Sequence, residues 1–155
     1  MEKVTLNTNI NGREISAEVE PRLLLTDFIR HEVGLTGTHV GCEHGVCGAC
    51  TILLNGQPVR SCLMFAVQAN RQSLETVESL GTPDNMHPLQ KAFHETHALQ
   101  CGYCTPGILM TLKPWIEENP NPTEHEIREA LSGNLCRCTG YQHIVDAVKQ
   151  VTSNT

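Results

Sequence analysis

Eight cysteines constrain this chain more than any other feature. They divide four and four. Cys42, Cys47, Cys50 and Cys62 lie in the first half, and Cys101, Cys104, Cys136 and Cys138 in the second. Glycines crowd the first group, as in C-E-H-G-V-C-G-A-C from Cys42 to Cys50. The start, M-E-K-V-T-L-N-T-N-I, alternates and lacks the unbroken apolar stretch of an export signal, so a cytoplasmic location is expected. In a reducing compartment, closely spaced cysteines read as metal ligands or redox thiols rather than a disulfide frame. No cysteine is left over, so the count suggests two four-ligand sites.

Cys42, Cys47 and Cys50 have the spacing C-x4-C-x2-C, the plant-type pattern for a [2Fe-2S] cluster, which a more distant fourth cysteine completes. Two irons bridged by two sulfides need four thiolates around a compact anionic body. Gly41, Gly45 and Gly48 let a backbone wrap that body closely and turn its N–H groups toward the sulfurs. Cys62 follows an Asn55-Gly56 turn that would fold it back to the loop, making it the natural fourth ligand. A zinc site is the alternative, but zinc ribbons usually carry two C-x2-C pairs. His44 reads as a loop residue hydrogen-bonded to backbone. In the second half, C-x2-C (Cys101, Cys104) is followed by C-x-C (Cys136, Cys138), each pair beside an expected helix boundary. Helix N-termini favour thiolates and anionic clusters. This spacing is less specific, and zinc and a second iron–sulfur cluster both fit it.

Hydrophobic periodicity divides the chain in the same place. Val4, Leu6, Thr8 and Ile10 alternate, Asn11-Gly12 marks a hairpin turn, and Ile15, Ala17 and Val19 alternate on the return. Leu24, Leu25, Phe28, Ile29 and Val33 predict a helix packed on that hairpin. A loop spans Gly34 to Gly48, strands are expected over Thr51–Leu54 and Gln57–Cys62, and another over Ser73–Val77. Gly81-Thr82-Pro83-Asp84-Asn85 reads as a linker. Beyond it four short helices are expected. Pro88 opens one, Thr105-Pro106 caps and starts the next, a Thr123/Glu126 capping box begins the third, and Ile144, Val145, Val148 and Val151 stripe the last. Pro114 predicts a kink or early end in the second of these. The expected class is α+β, with a small sheet domain over 1–80 and a helical bundle domain over 81–155.

The runs V-G-C-E-H-G-V-C-G-A-C-T, R-S-C-L, L-Q-C-G-Y-C-T-P-G and S-G-N-L-C-R-C-T-G-Y resemble, in order and over nearly the whole chain, the iron–sulfur subunit of the molybdenum hydroxylases. That family includes xanthine dehydrogenases, aldehyde oxidoreductases, carbon monoxide dehydrogenases and nicotinate dehydrogenases. The resemblance implies an N-terminal plant-ferredoxin-like β-grasp domain and a C-terminal four-helix bundle domain, each holding one [2Fe-2S] cluster. It implies a distal cluster on Cys42, Cys47, Cys50 and Cys62, and a proximal one on Cys101, Cys104, Cys136 and Cys138. It further implies that Gln100 and Cys138 approach the molybdopterin, in a dinucleotide form, of a large partner subunit. The distal cluster would serve an FAD-binding medium subunit or another acceptor. The chain would then be the electron-transfer subunit of an oxidoreductase, with substrate chemistry elsewhere.

Two other functions stay open on the residues alone: a free-standing two-cluster ferredoxin-like carrier and a zinc-binding interaction module. The net charge of −6, with both signs interspersed, argues against nucleic acid. No apolar run approaches the roughly 20 residues that cross a bilayer. His87, His94 and His97 read as surface or interface residues. Trp115 reads as packing, Met64 and Phe65 as core near the first site, and Arg137 as a solvated arginine or as a partner to cluster charge or to a carboxylate of a partner subunit.

Overall fold

The structure, a computed structural model, describes residues 2–153. The first half builds one sheet. β1 (Val4–Ile10) and β2 (Arg13–Val19) pair antiparallel from Val4↔Val19 to Ile10↔Arg13. Asn11 and Gly12 both take positive φ, 53° and 80°, as a two-residue turn of this type requires. β3 (Thr51–Leu54) and β4 (Gln57–Arg60) repeat the device at Asn55-Gly56. β5 (Ser73–Glu75) runs parallel to β1 and antiparallel to β3, which joins the hairpins in the order β2-β1-β5-β3-β4.

Several elements are shorter than their patterns predict, each for a local reason. β4 stops at Arg60 rather than Cys62: the Ser61 N–H still makes a ladder bond to the Cys50 carbonyl, but Ser61–Leu63 then closes as a 3-10 turn with the Met64 N–H on the Ser61 carbonyl. β5 stops at Glu75 because the Thr76 N–H is taken by the Asn11 side chain. The predicted helix after Pro21 is one α-helical turn, α1 (Leu25–Asp27), running into a π-helical turn over Phe28–Glu32. The Val33 N–H reaches back to the Phe28 carbonyl, which widens the turn. It buries Phe28 and Ile29 fully against Leu6, Ile10, Ile52 and Leu74.

Beyond a tight Thr82–Asn85 turn come α2 (Pro88–Glu95), α3 (Thr105–Glu118), α4 (Glu124–Leu131) and α5 (Gln142–Thr152). The Thr123/Glu126 capping box forms as expected. The cap of α3 is Cys104, one residue earlier than predicted, with Pro106 in the first turn. Pro114 does not end α3, which continues to Glu118. Leu89, Phe93, Ile108, Leu112, Ile127, Ile144 and Val148 make a second core. Among the described residues no helix is long and apolar enough to cross a membrane.

β3 fastens the two cores together. Successive residues of a strand face opposite ways. Ile52 therefore packs with the sheet core, while Leu53 packs with the helices, and both are buried. That is why T-I-L-L reads as an apolar run rather than an alternation. His87 caps α2, its Nδ1 accepting the Leu89 N–H at 3.2 Å, so the cap requires an imidazole without a proton on that nitrogen. Burial, aided by Lys113, lowers its pKa below the ordinary value despite Glu117. A histidine with a lowered folded pKa contributes stability above its unfolded value, about 6.5, and loses it as pH falls through the folded value. Thermal melts from pH 7 down to 5 should therefore show a smaller loss of Tm in His87→Asn, whose side chain still caps but does not titrate.

Candidate metal centres

The folded chain brings each set of four cysteines together. Each set is two adjacent pairs. In the first, Cys42 lies thiol to thiol with Cys47, and Cys50 with Cys62. In the second, Cys104 lies beside Cys136, and the Cys101 and Cys138 sulfurs are 3.5 Å apart. Two sulfurs about 3.8 Å apart suit one tetrahedral metal with bonds of about 2.3 Å. Among the described residues, no three metal-ligating side chains converge as ligands of a single ion. Paired thiols, two for each metal, fit a two-iron cluster better than a lone zinc. Within each set one pair is more exposed: Cys50 and Cys62 are buried behind Cys42 and Cys47, and Cys104 and Cys136 lie deeper than Cys101 and Cys138.

Backbone N–H groups aim at sulfurs in both sets, in the first as the glycine-rich loop predicts. The Cys47 N–H lies 3.4 Å from Cys42 Sγ, Tyr103 N–H 3.5 Å from Cys101 Sγ, and Thr139 N–H 3.5 Å from Cys136 Sγ. The first contact, with those of His44 and Val46, holds the Cys42 thiol down at about 6. Burial and the Cys50 thiol push Cys62 up to about 11, and burial and the Cys136 thiol push Cys104 up to about 12. Burial also opposes ionisation of Cys136, but the Thr139 hydroxyl and N–H, with further contacts, outweigh it and lower that thiol. The Cys101 thiol raises Cys138. The expected favour shown to thiolates at the α3 N-terminus thus does not lower Cys104, because burial prevails. Metal-free, the deep thiols Cys62 and Cys104 stay protonated at neutral pH, so metal binding must displace their protons.

The two sets meet across a narrow seam. The Leu135 N–H donates to the Cys47 carbonyl at 2.9 Å, and Asn134 Nδ2 to the Gly48 carbonyl at 3.2 Å. Tyr103 stacks on His39 with ring centroids 4.7 Å apart, and its hydroxyl donates to the Val40 carbonyl at 2.6 Å. A Cβ on Gly107 would sit 2.2 Å from the Gly48 carbonyl oxygen, so the start of α3 meets the first loop backbone to backbone. Tyr141 shapes the last loop. Its hydroxyl accepts the Cys136 N–H and donates to the Asn134 carbonyl. Gln100 Nε2 donates to the Cys138 carbonyl at 3.1 Å, and both residues are exposed.

His39, Arg60, Tyr103, Asn134 and Tyr141 were not singled out in the sequence as site residues. All of these but His39 lie within the cysteine-bearing runs, and that position is the signal that could have found them. His44 does bond to backbone, at the Cys42 carbonyl. Phe65, expected in the core, is 47% exposed, while Met64 packs at the edge of the sheet core. Trp115 packs against the helical core as expected. Of the three histidines expected at the surface, His94 and His97 are exposed and His87 is the half-buried cap.

Family models divide the chain between them. The model described as "2Fe-2S iron-sulfur cluster binding domain" matches residues 8–77, and "[2Fe-2S] binding domain" matches 76–149. The gamma subunit of caffeine dehydrogenase from Pseudomonas sp. (strain CBB1) is 54% identical, covering 100% of this chain and 95% of that one. This chain belongs to the iron–sulfur small subunits of the molybdenum hydroxylases. Another such subunit, the nicotinate dehydrogenase small FeS subunit of Eubacterium barkeri, is 47% identical over 96% of this chain and 95% of its own. The crystal structure of quinoline 2-oxidoreductase from Pseudomonas putida 86 superposes with a TM-score of 0.95 at 50% identity, covering 99% of this chain and 96% of that one. As an iron–sulfur small subunit, the chain is an electron-transfer component of an oxidoreductase and binds 2Fe-2S.

The seam between the two sets tolerates no added atom at Gly48. Its φ is +74°, and a Cβ there would lie 2.4 Å from the Gly133 carbonyl oxygen. Gly48→Ala should cost about 1–2 kcal/mol in left-handed backbone strain. It should cost a further ~1–3 kcal/mol from overpacking. A lower denaturation midpoint in the iron-loaded chain checks this.

Proposed function

We propose that this chain relays electrons, one at a time, from a molybdopterin site on a large partner subunit to a flavin-bearing medium subunit or another acceptor. On this assignment residues 1–80 form a plant-ferredoxin-like β-grasp domain whose Cys42, Cys47, Cys50 and Cys62 hold the distal [2Fe-2S] cluster. Residues 81–155 form a four-helix bundle domain whose Cys101, Cys104, Cys136 and Cys138 hold the proximal one. The observation that carries the assignment is the two-by-two adjacency of the thiols in both sets. When bound, such clusters supply single-electron uptake and release, which lets a two-electron oxidation on the partner be drained in two steps.

The protein's own groups do the positioning. Backbone N–H groups at Cys47, Tyr103 and Thr139 direct positive dipoles at the sulfurs and spread their charge. Gln100 holds the Cys138 carbonyl at an exposed edge, which supports that edge as the side facing a molybdopterin dinucleotide. Exposed Val46 within the first loop and exposed Leu63 beside Gly45 support this loop as the side facing an FAD-binding subunit. Relatives are named for caffeine, nicotine and nicotinate, and the similar structure for quinoline. A nitrogen heterocycle is accordingly the substrate class proposed for the large subunit's pocket. The complex is proposed to be cytoplasmic.

Anaerobic purification of the complex tests the assignment. The chain should be red-brown, bleach with dithionite, contain iron for both clusters and co-purify with a large molybdenum protein. Cys62→Ala and Cys104→Ala should each remove half the iron and leave the other site's EPR signal in place. Zinc in the wild-type chain would restore the interaction-module alternative, and a stable chain without partners would restore the free carrier.

A further inference from the structure

Arg60 lies in the seam between the two halves of the chain and takes no part in the assignment above. It ends β4, two residues before Cys62. The residue is half-buried, and its guanidinium forks between the two halves of the chain. Nη1 donates to Thr51 Oγ1 at 2.5 Å, and Nη2 to the Gly133 carbonyl at 2.7 Å. Thr51 follows Cys50 directly and extends the network, its hydroxyl donating to the Gly48 carbonyl at 2.6 Å. Gly133 lies in the turn after α4 that leads into Cys136. A Cβ on Gly133 would sit 2.8 Å from Arg60 Nη2, so glycine there keeps room for the guanidinium.

Among the described residues the charge of Arg60 has no carboxylate to match it. Among the described residues its hydrogen bonds go to a hydroxyl and a carbonyl, and the ion pairs all lie elsewhere. Holding a cation partly out of water costs free energy unless negative charge is near. Its anchors tie it to both thiol sets, since Thr51 follows Cys50 and Gly133 precedes Cys136 by three residues, and thiolates around diiron cores would supply negative charge that grows when a set accepts an electron. An arginine suits the place better than a lysine, because its rigid fork reaches both acceptors at once.

We propose that Arg60 is a positioning residue common to both sites: the fixed cation, anchored across the seam, that favours the reduced state of each cluster. The proposal rests on the two-cluster assignment. It fits the rule that net charge and hydrogen bonding around a cluster set its potential.

EPR-monitored redox titration of the complex decides it, comparing wild type with Arg60→Lys, Arg60→Gln and Arg60→Met. The lysine variant should keep both midpoint potentials close to wild type. The two neutral variants should shift both to more negative values while iron content stays constant. Gln still offers a donor to Gly133 and Met does not, so a common shift in both identifies charge rather than the clamp as the cause. Unchanged potentials in the neutral variants overturn the proposal, as does a shift confined to one cluster. A lysine variant that shifts as far as the neutral ones also overturns it. If both neutral variants fail to load iron while the lysine variant loads it, the requirement for a cation stands. Loss of iron in all three overturns it, because the site would then demand the shape of arginine and not its charge. Zinc or a single cluster in the wild type would instead fail the two-cluster assignment itself.

Discussion

The close approach of the first cysteine loop to the start of α3 is the contact on which the rest of the structure depends. Gly48 and Gly107 meet backbone to backbone, and neither position has space for a methyl group. That approach lets Asn134 reach the Gly48 carbonyl and Leu135 the Cys47 carbonyl. It also lets Leu53 turn out of the sheet into the helical core. A looser junction would leave the buried Asn134 amide and Gly48 carbonyl unsatisfied, each at a cost of about 1–3 kcal/mol. The two halves are therefore held in one relative position by directional bonds, and the spacing between their thiol sets is held with them.

Much of this was legible in the residues. Both Asn-Gly turns, both hairpins, the sheet-then-helix order and the grouping of the cysteines follow from local chemistry that tertiary context did not override. Cys62 returns to Cys50 because the Asn55-Gly56 hairpin leaves little freedom to do otherwise. What the sequence concealed was decided by partners far along the chain. Pro114 reads as a helix breaker, yet α3 continues through it, its apolar face holding Ile108 and Leu112 in the core. The strand from Gln57 stops early because Ser61–Leu63 folds into a 3-10 turn, and the one from Ser73 because the Asn11 side chain takes the Thr76 N–H. Arg60 and Asn134 lie within the R-S-C-L and S-G-N-L-C-R-C-T-G-Y runs, but nothing local says what they bind. Their importance comes from a seam that exists only once both halves are folded.

Pairing of thiols explains why two different cysteine spacings serve the same chemistry. C-x4-C and C-x2-C describe how a loop travels around a compact body, whereas C-x2-C and C-x-C describe how two loops clasp one from opposite sides. In both cases the result is an inner and an outer pair. A mononuclear zinc knuckle needs all four sulfurs at one point. A diiron core needs only two at each end, which a loop and a hairpin, or two inter-helix loops, can each supply.

The inner and outer pairs also give a direction to the relay proposed for the chain. Cys101 and Cys138 form the exposed pair of the second set, with Gln100 beside them, and Cys104 and Cys136 lie behind. Cys136 follows Leu135, whose N–H is bonded to the carbonyl of Cys47 in the first set. Cys47 belongs to that set's outer pair, near exposed Val46. A continuous series of covalent bonds, interrupted by a single hydrogen bond, thus connects a thiol of one site to a thiol of the other. An electron entering at the exposed edge of the helical half would need no motion of the chain to reach the opposite surface. The backbone contacts that make the seam rigid would also keep that connection closed, so the packing of the fold and the proposed conduction through it rest on the same few atoms.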